Sequence, residues 1–162
     1  MKVKLIAVAL SCLTMGTTVA QAQTINQQKQ IKTMIPKEVV QSFQEALGKG
    51  DAPTAFSFFA TDVKWHQPGA NQFSGTKNGI EELGKMFGGM MEASKGTLVV
   101  KPNGALMVNG NLVAAPVRFS GNNGINSIDM IGVDLFEVKE GKIVQVWLFS
   151  DAQQNEDDFW GK

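Results

Sequence analysis

Two residues of the sequence have side chains suited to proton chemistry in an apolar setting, Asp134 and His66. Asp134 lies in the run Ile125–Val138, where alternate residues form an apolar stripe that this one carboxylate interrupts. A carboxylate buried among apolar neighbours is costly when it is ionised and unpaired, so it is either protonated or paired. His66 is the only histidine, the residue type best suited to acid–base work near neutral pH. Asp134 and His66 are therefore the candidate catalytic residues.

Both candidates have a structural alternative. Asp134 could instead hydrogen-bond to His66, to Trp65 or to a backbone amide, but its apolar strand neighbours favour a position facing a ligand cavity. His66 follows Trp65, and neighbouring strand residues point to opposite faces, so its alternative is a half-exposed histidine at a strand end. Five further residues are candidates for substrate binding, although the aromatic ones are most simply core residues: Phe43, Trp65, Met130, Trp147 and Asp151.

The strand that carries Asp134 is predicted to be half of a long β-hairpin. Two runs rich in β-branched and aromatic residues, Ile125–Val138 and Lys142–Ser150, flank Glu140-Gly141 as the turn. Asn109-Gly110 is a strong signal for a second, two-residue hairpin turn. Pro116 predicts an edge or a bulge in its strand, because proline donates no backbone hydrogen bond. The shorter predicted strands cover residues 62–66, 97–101, 105–108 and 111–120.

Three helices are predicted before most of the strands. Pro36 opens the first, Lys37–Leu47, whose apolar residues fall on one face. Asp51 suits the N-cap of a short second helix, and Thr76 suits the cap of a third that ends near Glu92. The predicted fold class is α+β: three N-terminal helices packed on a strongly curved antiparallel β-sheet that forms a conical cavity, a cystatin-like α+β roll. The acidic tail ends in Phe159-Trp160, which is expected to fold back as a clasp.

The first residues have the pattern of a signal peptide. Two lysines, the apolar run Leu5–Leu13 and the small residues around Ala22 predict cleavage after Ala22, with residues 1–22 removed and residues 23–35 forming a flexible lead-in. We therefore expect a periplasmic or secreted protein. A lipoprotein with Cys12 as its anchor is an alternative, but it would leave a very short leader.

The composition excludes several classes of partner. Without its two leader lysines the chain has 13 basic and 15 acidic residues, a single arginine and no basic run, so we expect no nucleic-acid partner. The apolar run of the leader is too short to be a membrane anchor. One histidine, and one cysteine that lies in the leader, offer no spacing typical of a metal site, and we expect neither a metal nor a cofactor.

Three stretches resemble a known family, the nuclear transport factor 2-like superfamily in its SnoaL-like and ketosteroid-isomerase-like branch. They are EVVQSFQEALGKGD (38–51), DVKWHQPGANQFSGTKNGIEEL (62–83) and VDLFEVKEGKIVQVW (133–147). With the order of the elements they imply a domain of this family over residues 36–160. The family hosts isomerases, polyketide cyclases and binding proteins, so the resemblance implies the fold more specifically than the activity.

The same resemblance implies roles for individual residues. His66 stands at the position of the general-base aspartate of the ketosteroid isomerases. Asp134, in the motif Val133-Asp134-Leu135-Phe136, matches their oxyanion-hole aspartate, which is held neutral so that it can donate a hydrogen bond. Phe43 stands where the ketosteroid isomerases have their oxyanion-hole tyrosine, and the chain contains no tyrosine.

Two functions remain open from the sequence. The first is a cofactor-free enzyme of the isomerase, cyclase or lyase type, acting on an apolar, oxygen-bearing small molecule. The second is a non-catalytic module that binds such a molecule. In either case Ile131, Val133 and Leu135 would form an apolar patch on the outer face of the sheet, which predicts a homodimer through that face.

Overall fold

The fold is described by a computed structural model over residues 34–162. The predicted signal peptide (1–22) and nearly all of the predicted lead-in (23–35) lie outside the described residues. Elements are numbered in chain order within the described part.

The first three helices follow from local signals in the sequence. Helix α1 (Pro36–Gly48) begins with proline in its first turn and buries one apolar face. Helix α2 (Ala52–Ser57) is capped as predicted, because the backbone N–H of Thr54 donates to Asp51 Oδ1 over 3.1 Å. Helix α3 (Gly79–Ala93) starts later than predicted. Thr76 is not its cap but part of a short strand.

Seven strands form one curved, open sheet in the spatial order β2-β1-β7-β6-β5-β3, with β4 paired to β5. The strands are β1 (Phe59–Gln67), β2 (Gly75–Asn78), β3 (Val99–Pro102), β4 (Met107–Asn109), β5 (Leu112–Asn122), β6 (Ser127–Lys139) and β7 (Lys142–Ser150). The prediction of an antiparallel sheet is wrong at one pair, because β1 runs parallel to β7. These two strands are far apart in the chain, so no short turn forces them to be antiparallel.

Both predicted hairpins are present. The turn between β6 and β7 has Glu140 at φ 52° and Gly141 at φ 76°, the left-handed values that a two-residue turn of type I′ requires. The turn between β4 and β5 lies one residue later than predicted, at Gly110-Asn111, because Asn109 still pairs with Leu112 as the end of β4. Gly110 has φ 60°. Pro116 lies within β5, where its carbonyl accepts a hydrogen bond from the N–H of Asn103 over 2.8 Å. On this side of β5, the pairing with β3 ends at Val117 and the pairing with β4 ends at Ala114. Pro116 therefore lies in the gap between two short strands, where no strand partner requires the backbone N–H that proline lacks.

The cross-strand register defines the two faces of the sheet. One row of partners across β1, β7, β6 and β5 is Trp65, Val146, Phe136 and Val113, all buried. The next row is His66, Trp147, Leu135 and Ala114, none of them fully buried. We call the first the inner face, which the helices cover, and the second the outer face. The pairing therefore places Trp65 and His66 on opposite sides of the sheet.

An aromatic cluster fills the space between helices and inner face. Phe43 of α1 contacts Phe59 and Phe136 edge to face, with ring centroids 5.2 and 5.7 Å apart. Trp65 packs in the same way on Phe59 and, at 5.0 Å, on Phe87 of α3. Such offset contacts add to the burial of each ring and fix the helices on the sheet.

The tail folds back as predicted, and it does so as a fourth helix, α4 (Gln153–Trp160). Phe159 and Trp160 are each 4% exposed. Glu156 shares their face of the helix, since residues three and four apart lie on one side. This face turns toward the inner face of the sheet and brings a third side chain, a carboxylate, into the core.

Candidate functional site

Asp134 is a buried carboxyl group without a hydrogen-bond partner among residues 34–162. It is 8% exposed on the inner face of β6. Its cross-strand neighbours are Ala115 on β5 and Leu148 on β7, neither of which has a polar side chain. Trp65, a predicted structural partner, donates its indole N–H to Gln67 instead, and His66 lies on the other face. The structure therefore supports none of the structural partners considered for Asp134.

The pKa of Asp134 is raised from 3.8 to about 7, mainly by burial and in smaller part by the negative charge of Glu156. No compensating donor lowers it, because the carboxyl group faces apolar neighbours. Asp134 thus retains its proton up to nearly neutral pH. In that state it is a hydrogen-bond donor as well as an acceptor.

Glu156 is the second carboxylate on the inner face, and it is only 3% exposed. Its carboxylate accepts hydrogen bonds from Gln67 Nε2 over 2.9 Å, from Gln153 Nε2 over 3.3 Å and from the Ser150 hydroxyl. Burial raises the pKa of Glu156, while Ser150, Trp160 and Gln153 act to lower it. The Trp160 indole N–H lies outside hydrogen-bond geometry, so Nε1 is buried without a partner in the described chain.

The orientation of Gln67 follows from Trp65. An indole N–H can only donate, so Gln67 must present its oxygen, Oε1, to Trp65 Nε1 at 3.1 Å. The amide nitrogen of Gln67 then faces Glu156 Oε1, which must accept. Through Gln67, Trp65 therefore fixes Glu156 Oε1 as a hydrogen-bond acceptor, an oxygen that carries no proton.

Polar contacts at its ends and sides hold α4 over this site. Asp157 accepts hydrogen bonds from the N–H of Ala70 over 3.0 Å and from Asn71 Nδ2 over 2.7 Å. Asn123 Nδ2 donates to the carbonyl of Phe159 over 2.9 Å. The loop after β1 and the turn before β6 are therefore both tied to the helix that carries Glu156.

The structure does not bring His66 and Asp134 together, so the prediction that they form one site is wrong. His66 lies on the outer face, stacked on Trp147 with ring centroids 5.4 Å apart and planes 13° apart. Its Nδ1 pairs with Thr76 Oγ1 at 2.9 Å, and its Nε2 with Gln145 Nε2 at 2.7 Å. The physical reason is strand alternation, which turns Trp65 inward and therefore His66 outward.

The other predicted substrate residues divide between the two faces. Phe43, Trp65 and Met130 are buried on the Asp134 side. Trp147 faces outward beside His66, and Asp151 is exposed in the turn after β7, so neither lies with Asp134. Met130 also borders a surface groove of about 450 Å³ between the start of β6 and α4. Met130 lies four residues before Asp134 on the same face of β6.

Sequence reasoning missed Glu156 and Gln67. Glu156 precedes Phe159 and Trp160 by three and four residues, the spacing of one helix face, so a helical interpretation of the tail would have found it. Gln67 lies two residues after Trp65 and so shares its face. Neither signal identifies the partners, because the bond between Gln67 and Glu156 spans 89 residues of sequence.

No group of three or more acidic, histidine or cysteine side chains is placed to hold a metal ion within residues 34–162. In the same part of the chain no helix has the length and apolarity needed to cross a membrane.

Comparison with known proteins identifies a family and a fold. The SnoaL-like domain family matches residues 40–146. A protein of unknown function with a cystatin-like fold from Xanthomonas campestris is 42% identical, covers 80% of this chain and 100% of its own, and superposes with a TM-score of 0.77. A search of curated proteins returned no match.

More distant structures share the fold alone. The protein Bal32a, from a soil-derived mobile gene cassette, is 23% identical over 78% of this chain and 96% of its own, with a TM-score of 0.73. TerC, co-crystallized with polyporic acid, is 15% identical over 78% of this chain and 99% of its own, with a TM-score of 0.67.

Proposed function

Because the chain belongs to the SnoaL-like domain family, we propose that it binds an apolar small molecule and that protonated Asp134 donates a hydrogen bond to a ligand oxygen. One observation carries the proposal: Asp134 is 8% exposed and has no hydrogen-bond partner among the described residues. A buried polar group without a partner is costly, and it persists where a ligand supplies the missing bond. An oxygen that accepts a hydrogen bond satisfies Asp134, and an apolar body matches Ala115, Leu148 and Phe136 around it.

Acid–base catalysis without a cofactor is the second candidate function. It is favoured by the pKa of Asp134, about 7, which suits a general acid working near neutral pH. Glu156 supplies a second carboxylate on the same face. His66, the predicted base, lies on the outer face and cannot serve this site. Binding is therefore the first proposal, and an isomerase, cyclase or lyase activity the second.

The test begins with the native ligand, sought by mass spectrometry of small molecules that co-purify with the protein. Binding is then measured for Asp134→Asn, which keeps the shape and one donor, and for Asp134→Leu, which removes the polar group. We expect Asn to bind within roughly tenfold of the wild type, since one neutral hydrogen bond contributes about 1 kcal/mol, and Leu to bind more weakly. Asp62→Asn, an exposed position on β1, is the matched control. Unchanged affinity in both Asp134 variants would contradict the proposal.

The proposal includes export and self-association. The signal-peptide pattern supports a mature chain that begins at Gln23, in the periplasm or outside the cell. Mass spectrometry of the exported protein would show the mass of residues 23–162 if Ala22 ends the leader.

A second copy is the occupant we propose for the outer face. There Ile131 is 44% and Phe149 56% exposed beside half-buried Val133 and Leu135, a continuous patch suited to a two-fold interface.

A further inference from the structure

We propose that Glu156 is a specificity residue of the same site: it keeps a negative charge beside Asp134, so that the site accepts neutral ligands and rejects carboxylates. The inference rests on the proposed function, because it names the class of ligand that Asp134 would bind. Glu156 is absent from the three stretches that resemble the family and is brought to the inner face only by the docking of α4.

The first step is that Glu156 carries the charge of the pair. Three side chains donate to it, Gln67, Ser150 and Gln153, whereas no described residue donates to Asp134. Hydrogen bonds to a carboxylate favour its ionised form, and their absence favours the neutral acid. When two carboxyl groups lie close together, the better solvated one ionises first. The site therefore presents one anion, Glu156, and one proton donor, Asp134.

The second step is that this charge acts on any ligand that reaches Asp134. Ser150, which donates to Glu156, pairs with Gly132, two residues before Asp134 on the same face of β6, so the two carboxyl groups lie near each other. The charge of Glu156 accordingly contributes to the raised pKa of Asp134. Among the described residues no lysine or arginine is buried on the inner face, and Lys77, the partner of Trp65 at the sheet edge, donates its amine to the carbonyl of Ser74 over 3.0 Å. A ligand carboxylate would meet this negative charge in a poorly screened environment, whereas a ketone or ester oxygen would only accept a hydrogen bond from the Asp134 hydroxyl. The ligand class is therefore a neutral apolar molecule with a carbonyl oxygen.

The test compares two probes with the same ring system, 2-acetylnaphthalene and 2-naphthoate, by equilibrium dialysis near pH ~6, where Asp134 keeps its proton and 2-naphthoate is ionised. We expect the wild type to bind the ketone at least about tenfold more tightly than the carboxylate, the change that 1.4 kcal/mol produces. Glu156→Gln keeps the size and hydrogen-bonding atoms but removes the charge. It should bind 2-naphthoate roughly tenfold more tightly than the wild type does and the ketone within about threefold of wild type.

Glu137→Gln is the matched control, because it makes the same charge change on β6 outside the inner core. If it changes the ratio of the two affinities as much as Glu156→Gln does, the effect is one of net charge and the inference is wrong. The inference is also wrong if the ratio is the same in Glu156→Gln and wild type while Asp134→Leu still weakens ketone binding, a result that leaves the proposed function standing. If the wild type binds neither probe, the proposed function and the inference fail together. Circular dichroism of each variant confirms that α4 and the sheet are retained.

Discussion

The pH dependence of stability tests the state of Asp134 directly. Folding raises the pKa of Asp134 from the 3.8 of an exposed aspartate to about 7, a difference of about three pH units. Each unit corresponds to about 1.4 kcal/mol, so the whole shift amounts to about 4 kcal/mol. Between pH ~4 and ~7 the folded protein holds a proton that the unfolded chain has lost. The contribution of Asp134 to the free energy of unfolding is therefore fully present below pH ~4. It decreases as the pH rises and is lost above pH ~7.

Asp134→Asn isolates this effect because the amide has nearly the same shape and does not titrate. The free energy of unfolding is measured by urea titration at fixed protein concentration, from about pH 4 to about pH 8, with tryptophan fluorescence as the signal. The wild-type value minus the Asn value should fall by about 4 kcal/mol across this range. Contributions from exposed carboxylates such as Asp129, whose pKa is lowered by Arg118, are common to both proteins and cancel.

Two controls sharpen the interpretation. Asp62→Asn, at an exposed position on β1, should change the free energy of unfolding near pH ~7 by less than about 1 kcal/mol. Glu156→Gln removes the charge that helps to raise the pKa of Asp134, so its stability should level off at a lower pH than that of wild type. If the difference between wild type and Asp134→Asn is itself flat, Asp134 is ionised and paired, and the assignment of the site is refuted.

Three further results are expected. Asp134→Leu should melt at or above the wild-type temperature at neutral pH, because it removes an unpaired buried polar group; a melt well below wild type would show that Asp134 holds a structural network. His66→Gln should leave ligand affinity within about twofold, since the ring lies on the outer face, and a roughly tenfold loss would place His66 in the site after all. Sedimentation at micromolar concentration should show twice the mass of the mature chain, and Phe149→Lys should shift it toward the monomer; a wild-type monomer at all concentrations would contradict the dimer.

Local patterns in the sequence predicted most of the elements, because their causes are local. Strand alternation placed Asp134 on the apolar side of β6, and the structure has it on that side. Turn residues predicted both hairpins, since only glycine and a few others accept positive φ. The cap at Asp51 was predicted for a similar reason, as its partner Thr54 is three residues away.

Other features depended on contacts between distant parts of the chain. Alternation alone showed that Trp65 and His66 point to opposite faces, but not which of them faces the helices. That choice is made by the packing of Trp65 against Phe59 and Phe87. The parallel pairing of β1 with β7 is likewise a tertiary contact that no turn encodes.

The sequence by itself determined that a single carboxylate interrupts the apolar stripe of β6, and with it the donor of the proposed site. Only the tertiary structure decided its neighbours. Docking of α4 brings Glu156 to Gln67 across 89 residues. The packing of Trp65 under the helices leaves His66 on the outer face. The physical reason is that alternation and capping act over a few residues, whereas the protonation of a buried carboxyl group depends on every charge and donor that folding brings near it.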